Sequence, residues 1–259
     1  KLAVGSSAKG SVIGLFEVGS RRILSIDGCR AQHTSMTPLI SELRHGIDEL
    51  KVKPYAHDAH GPDLGGSLRH VQLTTERTTG LTQLVLVWNG GPLEAPLSRP
   101  FVNRLWQAGR VPARWHSVWA HYRGRGPGSH GAGGIFATSP GDTAWQLLKG
   151  APHVLERIDG LPFLFSPATF QQPNLGMFER IISDAKAAFL QCQQSLLIKQ
   201  PRILELCGGV GVLGLSLTHV GGASATLLCT DSNSHCAPVF AMNAKSVLGD
   251  PAFADGRVR

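Results

Sequence analysis

A glycine-rich turn and a later carboxylate form the most chemically suggestive pattern in the sequence. Gly209, Gly211 and Gly214 fit the spacing GxGxxG, and Asp231 follows Gly211 by 20 residues. Glycines let a backbone turn tightly and approach a nucleotide closely, and a carboxylate on the next strand can accept hydrogen bonds from ribose hydroxyls. The pattern therefore predicts a nucleotide-type site. The alternative is a turn that only packs a helix on a strand.

Glu205 bears on which nucleotide the turn would bind. It lies at the end of the preceding strand, four residues before Gly209. A carboxylate there would repel the pyrophosphate of a dinucleotide, which needs a neutral or positive helix N-terminus. It would suit the ammonium and sulfonium groups of S-adenosylmethionine. The residues thus favour S-adenosylmethionine over a nicotinamide dinucleotide, and a surface carboxylate is the alternative for Glu205.

The elements around the turn are expected to follow the order βαβα. A strand, RILEL, precedes the turn, a helix is predicted at about 211–219, a second strand ends at Asp231, and a second helix covers about 234–248. This is the order of a doubly wound sheet. Upstream, apolar residues at helical spacing predict an amphipathic helix over 175–197, with Asn174 as its candidate N-cap and Cys192 on its apolar stripe.

The first 170 residues have a different character. Alternating apolar residues, bounded by Gly and Ser turns, predict several short strands and only two helices. The predicted strands cover 1–27 (three strands), 68–88 (two), 114–121, 143–148, 153–158 and 162–165, the helices 36–51 and 100–109, and the loops 54–66 and 123–134. We expect a strand-rich α+β domain over 1–170, followed over 171–259 by the start of a doubly wound, Rossmann-like α/β sheet that is incomplete.

The charge balance bears on the partner. The chain has a net charge of +7 and a sequence pI near 9.5, which suits a polyanion such as RNA. The residues that could contact phosphates are Arg21, Arg22, Arg123, Arg125 and Lys149. A solvated basic face is the alternative interpretation.

The cysteines and histidines exclude some classes of protein. Five cysteines without a CxxC pair argue against a disulfide scaffold and a zinc finger, and favour a reducing, intracellular compartment. His57, His60 and His70 lack metal-ligand spacing, so we expect no metal site. No apolar run reaches the ~20 residues of a membrane span, so we expect no membrane association.

Two segments together resemble the RNA uracil-5 methyltransferase family. They are FSPATFQQPN at 165–174 and ILELCGGVGVLGLSL from Ile203. The resemblance implies S-adenosylmethionine as cofactor, tRNA or rRNA as substrate and a class I Rossmann-like domain. The cofactor-binding positions that it implies are Gln172, Glu205, Cys207, Gly209, Gly211, Val212 and Asp231. Upstream, SVIGLFEVGSRRILSIDGCRAQH resembles the central domain of this family.

The sequence departs from the family pattern at three places. Cys207 stands where the family has an aromatic residue, and Gly208 where it often has cysteine. Only Cys29 lies in the central region, so we expect no iron–sulfur cluster, which needs four cysteines. The family's nucleophilic cysteine and general base lie beyond the second βα unit, so we expect the catalytic residues beyond Arg259 and none among the five cysteines. Two strands and two helices do not complete a doubly wound sheet. We therefore expect further chain or another segment to cover its inner edge and one apolar face.

Two functions remain open at this point. One is methylation of C5 of uridine in tRNA or rRNA. The other is a catalytically inactive relative that binds RNA or serves in a ribosome-assembly complex, suggested by the altered Cys207-Gly208 turn. A nicotinamide-dependent oxidoreductase would rest on the glycine spacing alone.

Overall fold

The largest sheet lies in the first of two compact units, Lys1–Pro152 and His153–Arg259. The structure is a computed structural model and describes residues 1–8, 10–56, 66–93, 95–123, 135–136, 145–250 and 256–259. The sheet strands of the first unit are β1 (Leu2–Ser7), β2 (Gly10–Phe16), β3 (Ile23–Ser25), β4 (Leu68–Thr75), β5 (Thr82–Asn89), β6 (Trp115–Arg123) and β7 (Trp145–Gly150).

These strands pair in the order β3-β2-β1-β4-β5-β6-β7. All neighbouring pairs are antiparallel except β5 and β6. The parallel pair is joined through helix α2 (Ser98–Ala108). Strand β5 is buried along its whole length, as expected of a central strand covered on both faces. The strand-rich character predicted for this part of the chain is confirmed.

Helix α1 (Met36–Glu49) supplies much of the core of this unit. Its apolar residues at steps of three and four turn one stripe toward the sheet, and Leu39, Ile40, Leu43 and Ile47 are buried. In the core they join Trp88 of β5 and Phe101 of α2, whose rings meet edge to face at 6.5 Å. The helix predicted from the spacing of these apolar residues is therefore present, and burial of its apolar stripe holds it against the sheet.

The second unit begins with a hairpin. Strands β8 (Val154–Ile158) and β9 (Leu161–Phe165) are antiparallel and precede the long helix α3 (Leu175–Ser195). Strand β9 contacts helix α5 (Cys236–Leu248), so the hairpin belongs to the second unit. This division differs from the boundary expected after residue 170, because strand content alone does not show which core a hairpin joins.

The βαβα order predicted for the second unit is present. Strand β10 (Arg202–Leu206), helix α4 (Val212–Gly221), strand β11 (Thr226–Thr230) and α5 follow one another, and β10 and β11 are parallel. On the other side of β11, Leu227 forms a parallel bridge with Val258, and Cys229 N–H donates to the Arg259 carbonyl at 2.9 Å. The sheet thus takes the first positions of a Rossmann-like arrangement.

Other sequence expectations for this unit are met only in part. On α3, Leu175 and Ile182 are buried, whereas Met177 and Ile181 are each 53% exposed. Cys192, expected on a buried stripe, is exposed, and that expectation was wrong. The middle of the loop predicted at 54–66 (57–65) and most of that at 123–134 (124–134) lie outside the described residues. Among the described helices, none combines the length and apolar character needed to cross a bilayer.

Candidate functional site

The glycine-rich turn connects β10 to α4 and depends on left-handed backbone conformations. Gly209 and Gly211 have φ values of 58° and 80°, and Gly211 is the N-cap of α4. A side chain at Gly211 would also be blocked, because its Cβ would lie 2.5 Å from the ring of Phe240. Geometry therefore requires glycine at position 211, whereas at position 209 the left-handed φ favours glycine but a Cβ would meet no atom within 4 Å. Cys207 adopts a left-handed φ of 55° as well.

Asp231 holds this turn from the neighbouring strand. Its Oδ2 accepts from Gly209 N–H at 2.8 Å, and its Oδ1 accepts from Asn233 N–H at 2.8 Å. The residue is exposed directly after the end of β11. A carboxylate offers about four acceptor positions, so Asp231 can hold the turn and still accept hydrogen bonds from a ligand's hydroxyls.

A cavity of about 490 Å³ opens beside Asp231 at the carboxyl end of β11. In open parallel α/β sheets, ligands bind at this end of the strands, and the volume falls within the range of small-molecule pockets. Its lining includes Gly209 and Asp231 of the predicted residues, together with Phe240 and the small side chains Ala237 and Ala241 on α5.

The other predicted residues do not line that cavity. These are Gln172, Glu205, Cys207, Gly211 and Val212. Gln172 and Cys207 are exposed, and Val212 is buried as the first residue of α4. The structure thus brings together Gly209 and Asp231, while ligand contacts by the other five stay predictions.

Glu205 is turned under helix α4. Its Oε2 accepts from Gly214 N–H at 3.1 Å and from the Cys229 thiol at 3.5 Å, and burial raises the pKa of its carboxyl group. A Cβ at Gly214 would lie 2.4 Å from that oxygen, which explains the third glycine of the motif. Glu205 thus satisfies an N–H in the first turn of α4. It is not the surface carboxylate weighed as an alternative, and its contact with an ammonium or sulfonium group stays a prediction.

Two cysteines lie beside the cavity. Burial, followed by the Glu205 charge, raises the pKa of Cys229 to about 12. Burial, followed by the Asp231 charge, raises the pKa of Cys236 to about 11. Both groups are therefore thiols near neutral pH, and a thiolate is the reactive form of cysteine. Neither is suited to nucleophilic attack.

Asn243 is a site residue that the sequence pattern did not reveal. Its fully buried Oδ1 accepts from Leu164 N–H at 2.7 Å, and its Nδ2 donates to the carbonyls of Leu164 at 3.1 Å and Val210 at 3.2 Å. Asn243 thereby ties β9 to the glycine-rich turn. An asparagine inside an apolar helix face was the available signal.

The segment 165–174 is joined to the same site. Asn233 Nδ2 donates to the Ala168 carbonyl at 2.8 Å, which links this segment to the loop that follows Asp231. Asn174 Oδ1 accepts from Met177 N–H at 3.0 Å, so the predicted N-cap of α3 is confirmed. Through Asn233, the segment 165–174 is therefore linked to the loop that follows Asp231, whose carboxylate accepts from Gly209 N–H.

The cationic residues predicted to contact phosphates lie in different surroundings. Arg22 donates to both carboxylate oxygens of Glu17 within the β2–β3 hairpin. Lys149 is half-buried on β7, and Arg125 lies outside the described residues.

Within the part of the chain that the structure describes, no three His, Cys, Asp or Glu side chains are grouped as metal ligands.

The chain is similar to known proteins both in sequence and in structure. No family model matches it. An uncharacterized RNA methyltransferase of Protochlamydia amoebophila is 27% identical over 242 residues, which cover 93% of this chain and 57% of that protein. One of Thermosynechococcus vestitus is 26% identical over 223 residues, with coverages of 86% and 43%. The chain thus spans about half the length of the curated relatives it matches.

A solved structure shares the fold. The tRNA (uracil-54, C5)-methyltransferase of Pyrococcus abyssi, in complex with S-adenosyl-L-homocysteine, aligns with a TM-score of 0.62 and 18% identity over 94% of this chain and 51% of that protein. The likeness extends across both units of the chain, because it covers nearly all of it. The chain is therefore similar in sequence to curated RNA methyltransferases, and it has the fold of a tRNA (uracil-54, C5)-methyltransferase, as the resemblance found in its sequence implies.

Proposed function

We propose that this chain forms the central domain and the donor-binding part of a methyltransferase that uses S-adenosylmethionine to methylate C5 of uridine in tRNA or rRNA. The observation that carries the proposal is the hydrogen bond from Gly209 N–H to Asp231 at the mouth of the cavity. The names of the relatives support RNA as the substrate. The S-adenosyl-L-homocysteine held by the Pyrococcus abyssi enzyme supports the donor.

The described residues fit a nucleoside-bearing donor. Asp231 can accept hydrogen bonds from ribose hydroxyls while it holds Gly209. Ala237 and Ala241 lie one helical turn apart on the cavity wall, and their small side chains leave room for a planar base beside Phe240. S-adenosylmethionine would supply an electrophilic methyl group. The chain's own residues would orient the nucleoside and hold the turn in its left-handed conformation.

The direct test of the proposed reaction is transfer of a labelled methyl group. The full-length protein is incubated with an unmodified tRNA or rRNA transcript and S-[methyl-³H]adenosylmethionine, and the digested RNA is analysed for 5-methyluridine. The proposal predicts labelled 5-methyluridine. If no labelled 5-methyluridine forms although the protein binds both S-adenosylmethionine and the RNA, the proposed methylation of uridine C5 is wrong.

A second function is favoured by one set of observations. Cys207 stands where the family has an aromatic residue, and it is exposed beside the turn with a left-handed φ of 55°. An inactive relative that binds RNA, for example in ribosome assembly, would show this pattern. RNA binding without methyl transfer in the same assay would select that function.

A further inference from the structure

Asn233 lies where three parts of the proposed S-adenosylmethionine site meet. It follows the end of β11 by three residues and lines the cavity. Its backbone N–H donates to Asp231 Oδ1 at 2.8 Å, and its Nδ2 donates to the Ala168 carbonyl at 2.8 Å. Its Oδ1 accepts from His235 N–H at 3.1 Å, and its carbonyl accepts from Cys236 N–H at 2.9 Å. All four polar groups of this half-buried residue are thus hydrogen-bonded.

The Ala168 carbonyl belongs to a turn over 166–169 that is closed by its own hydrogen bonds. Thr169 N–H donates to the Ser166 carbonyl at 3.1 Å, and Thr169 Oγ1 donates to the same carbonyl at 2.8 Å. In return, Ser166 N–H donates to Thr169 Oγ1 at 3.2 Å. The turn is therefore a defined anchor, and the side chain of Asn233 links that anchor to the loop that follows β11.

The direction of the exposed Asp231 carboxylate depends on this link. Backbone N–H groups hold both of its oxygens, one from Gly209 and one from Asn233, and hydrogen bonds to a charged acceptor are stronger than those between neutral groups. The glycine-rich turn fixes the first N–H, and the anchoring of Asn233 fixes the second. A residue that served only to begin α5 would need the contact of its Oδ1 with His235, but not a contact with a residue 65 positions earlier.

We propose that Asn233 is a positioning residue that sets the Asp231 carboxylate for the ribose of S-adenosylmethionine and couples it to the segment 165–174. The inference rests on the proposed function, because it takes that nucleoside as the ligand of the cavity. Energetic coupling between two parts of a protein is reciprocal. A ligand held by Asp231 should therefore steady the segment, and loss of the link from Asn233 to Ala168 should weaken the ligand's binding.

The test separates this role from local capping of α5. Isothermal titration with S-adenosylmethionine compares the full-length wild-type protein with its Asn233→Ala, Asn233→Ser and Ser232→Ala variants. The hydroxyl in Asn233→Ser can still accept from His235 N–H, but it ends before it reaches the Ala168 carbonyl. We expect both Asn233 variants to bind about tenfold more weakly, as for the loss of one hydrogen bond. Ser232→Ala should bind like the wild type, because Ser232 is exposed and does not line the cavity.

Amide hydrogen exchange supplies a second readout, which a general loss of stability would not imitate. Saturating S-adenosylmethionine should slow exchange over 166–172 in the wild type and in Ser232→Ala. In both Asn233 variants this slowing should be lost at equal ligand occupancy, while exchange over α4 stays slow. Combining Asn233→Ala with Asp231→Ala should cost less affinity than the sum of the two single losses, because the first residue acts through the second.

Several results would overturn the inference. They are unchanged affinity and protection in both Asn233 variants, losses equal to that of Ser232→Ala, or wild-type affinity in Asn233→Ser alone, which would assign Asn233 to local capping. If Asn233→Ala does not fold, Asn233→Ser carries the test. The wild-type titration separates the two claims: absence of S-adenosylmethionine binding overturns the proposed function as well, whereas binding that all variants share overturns only the role of Asn233.

Discussion

The carboxylate of Asp231 accepts a hydrogen bond from the backbone N–H of Gly209 at 2.8 Å. The residue after one strand thereby fixes the turn that follows the neighbouring strand. This contact joins the acid directly to the glycine-rich turn, although the two are 22 residues apart in the sequence.

The first prediction concerns this contact. Asp231→Ala should weaken S-adenosylmethionine binding at least tenfold, because it removes both a ligand acceptor and the acceptor for Gly209. The free energy of unfolding should fall by only about 1 kcal/mol, since the lost hydrogen bonds are exposed to water. Calorimetric titration and urea unfolding measure the two effects. Asp184→Ala is the matched control, because Asp184 is exposed on α3. Equal affinity of the two variants for S-adenosylmethionine would refute the role of Asp231.

The second prediction concerns Gly208, which stands where the family often has cysteine. A Cβ at this position would lie 2.6 Å from Cys229 Sγ and 2.7 Å from Glu205 Cδ. Gly208→Ala should therefore lower the free energy of unfolding by about 1–3 kcal/mol. Adding Cys229→Ala should restore part of that loss, because it removes the nearest blocking atom. Gly176→Ala on α3 is the control: a Cβ there would meet no close atom, so the free energy of unfolding should hardly change. If the losses of the Gly208→Ala and Cys229→Ala single variants simply add in the double variant, the steric explanation is wrong.

The third prediction concerns Asn243. Asn243→Ala would leave the N–H of Leu164 and the carbonyls of Leu164 and Val210 buried without this partner. Each such group costs about 1–3 kcal/mol, so for the three groups we expect a loss of at least about 3 kcal/mol of unfolding free energy, together with weaker donor binding. Ser246→Ala, exposed on the same helix, provides the comparison in urea unfolding. A loss no larger than that of Ser246→Ala would show that Asn243 does not tie β9 to the turn.

The fourth prediction concerns thiol reactivity. At pH 8, pKa values of about 12 and about 11 leave about 1 in 10,000 of Cys229 and about 1 in 1,000 of Cys236 as thiolate. Iodoacetamide should therefore modify exposed Cys29 and Cys192 well before either of them. Peptide mass spectrometry over a time course resolves the order. Modification of Cys229 as fast as Cys192 would contradict the raised pKa values.

Local sequence patterns predicted those features that depend on neighbouring residues. The stripe of α1, the N-cap Asn174 and the positions of Gly209 and Gly211 all follow from short spacings. Features set by distant contacts did not follow from them. The direction of Glu205 depends on the packing of α4, and the hairpin at 154–165 joins the second unit through its contact with α5.

Isothermal titration of S-adenosylmethionine into the protein tests the central claim most directly, with NADH as the competing ligand. Ala237→Trp, which would fill the cavity from its exposed wall, is compared with Ser246→Trp on the same helix. We expect saturable binding of S-adenosylmethionine to the wild-type protein and to Ser246→Trp, loss of that binding in Ala237→Trp, and no comparable binding of NADH. Tight NADH binding, or S-adenosylmethionine binding that survives Ala237→Trp unchanged, would contradict it.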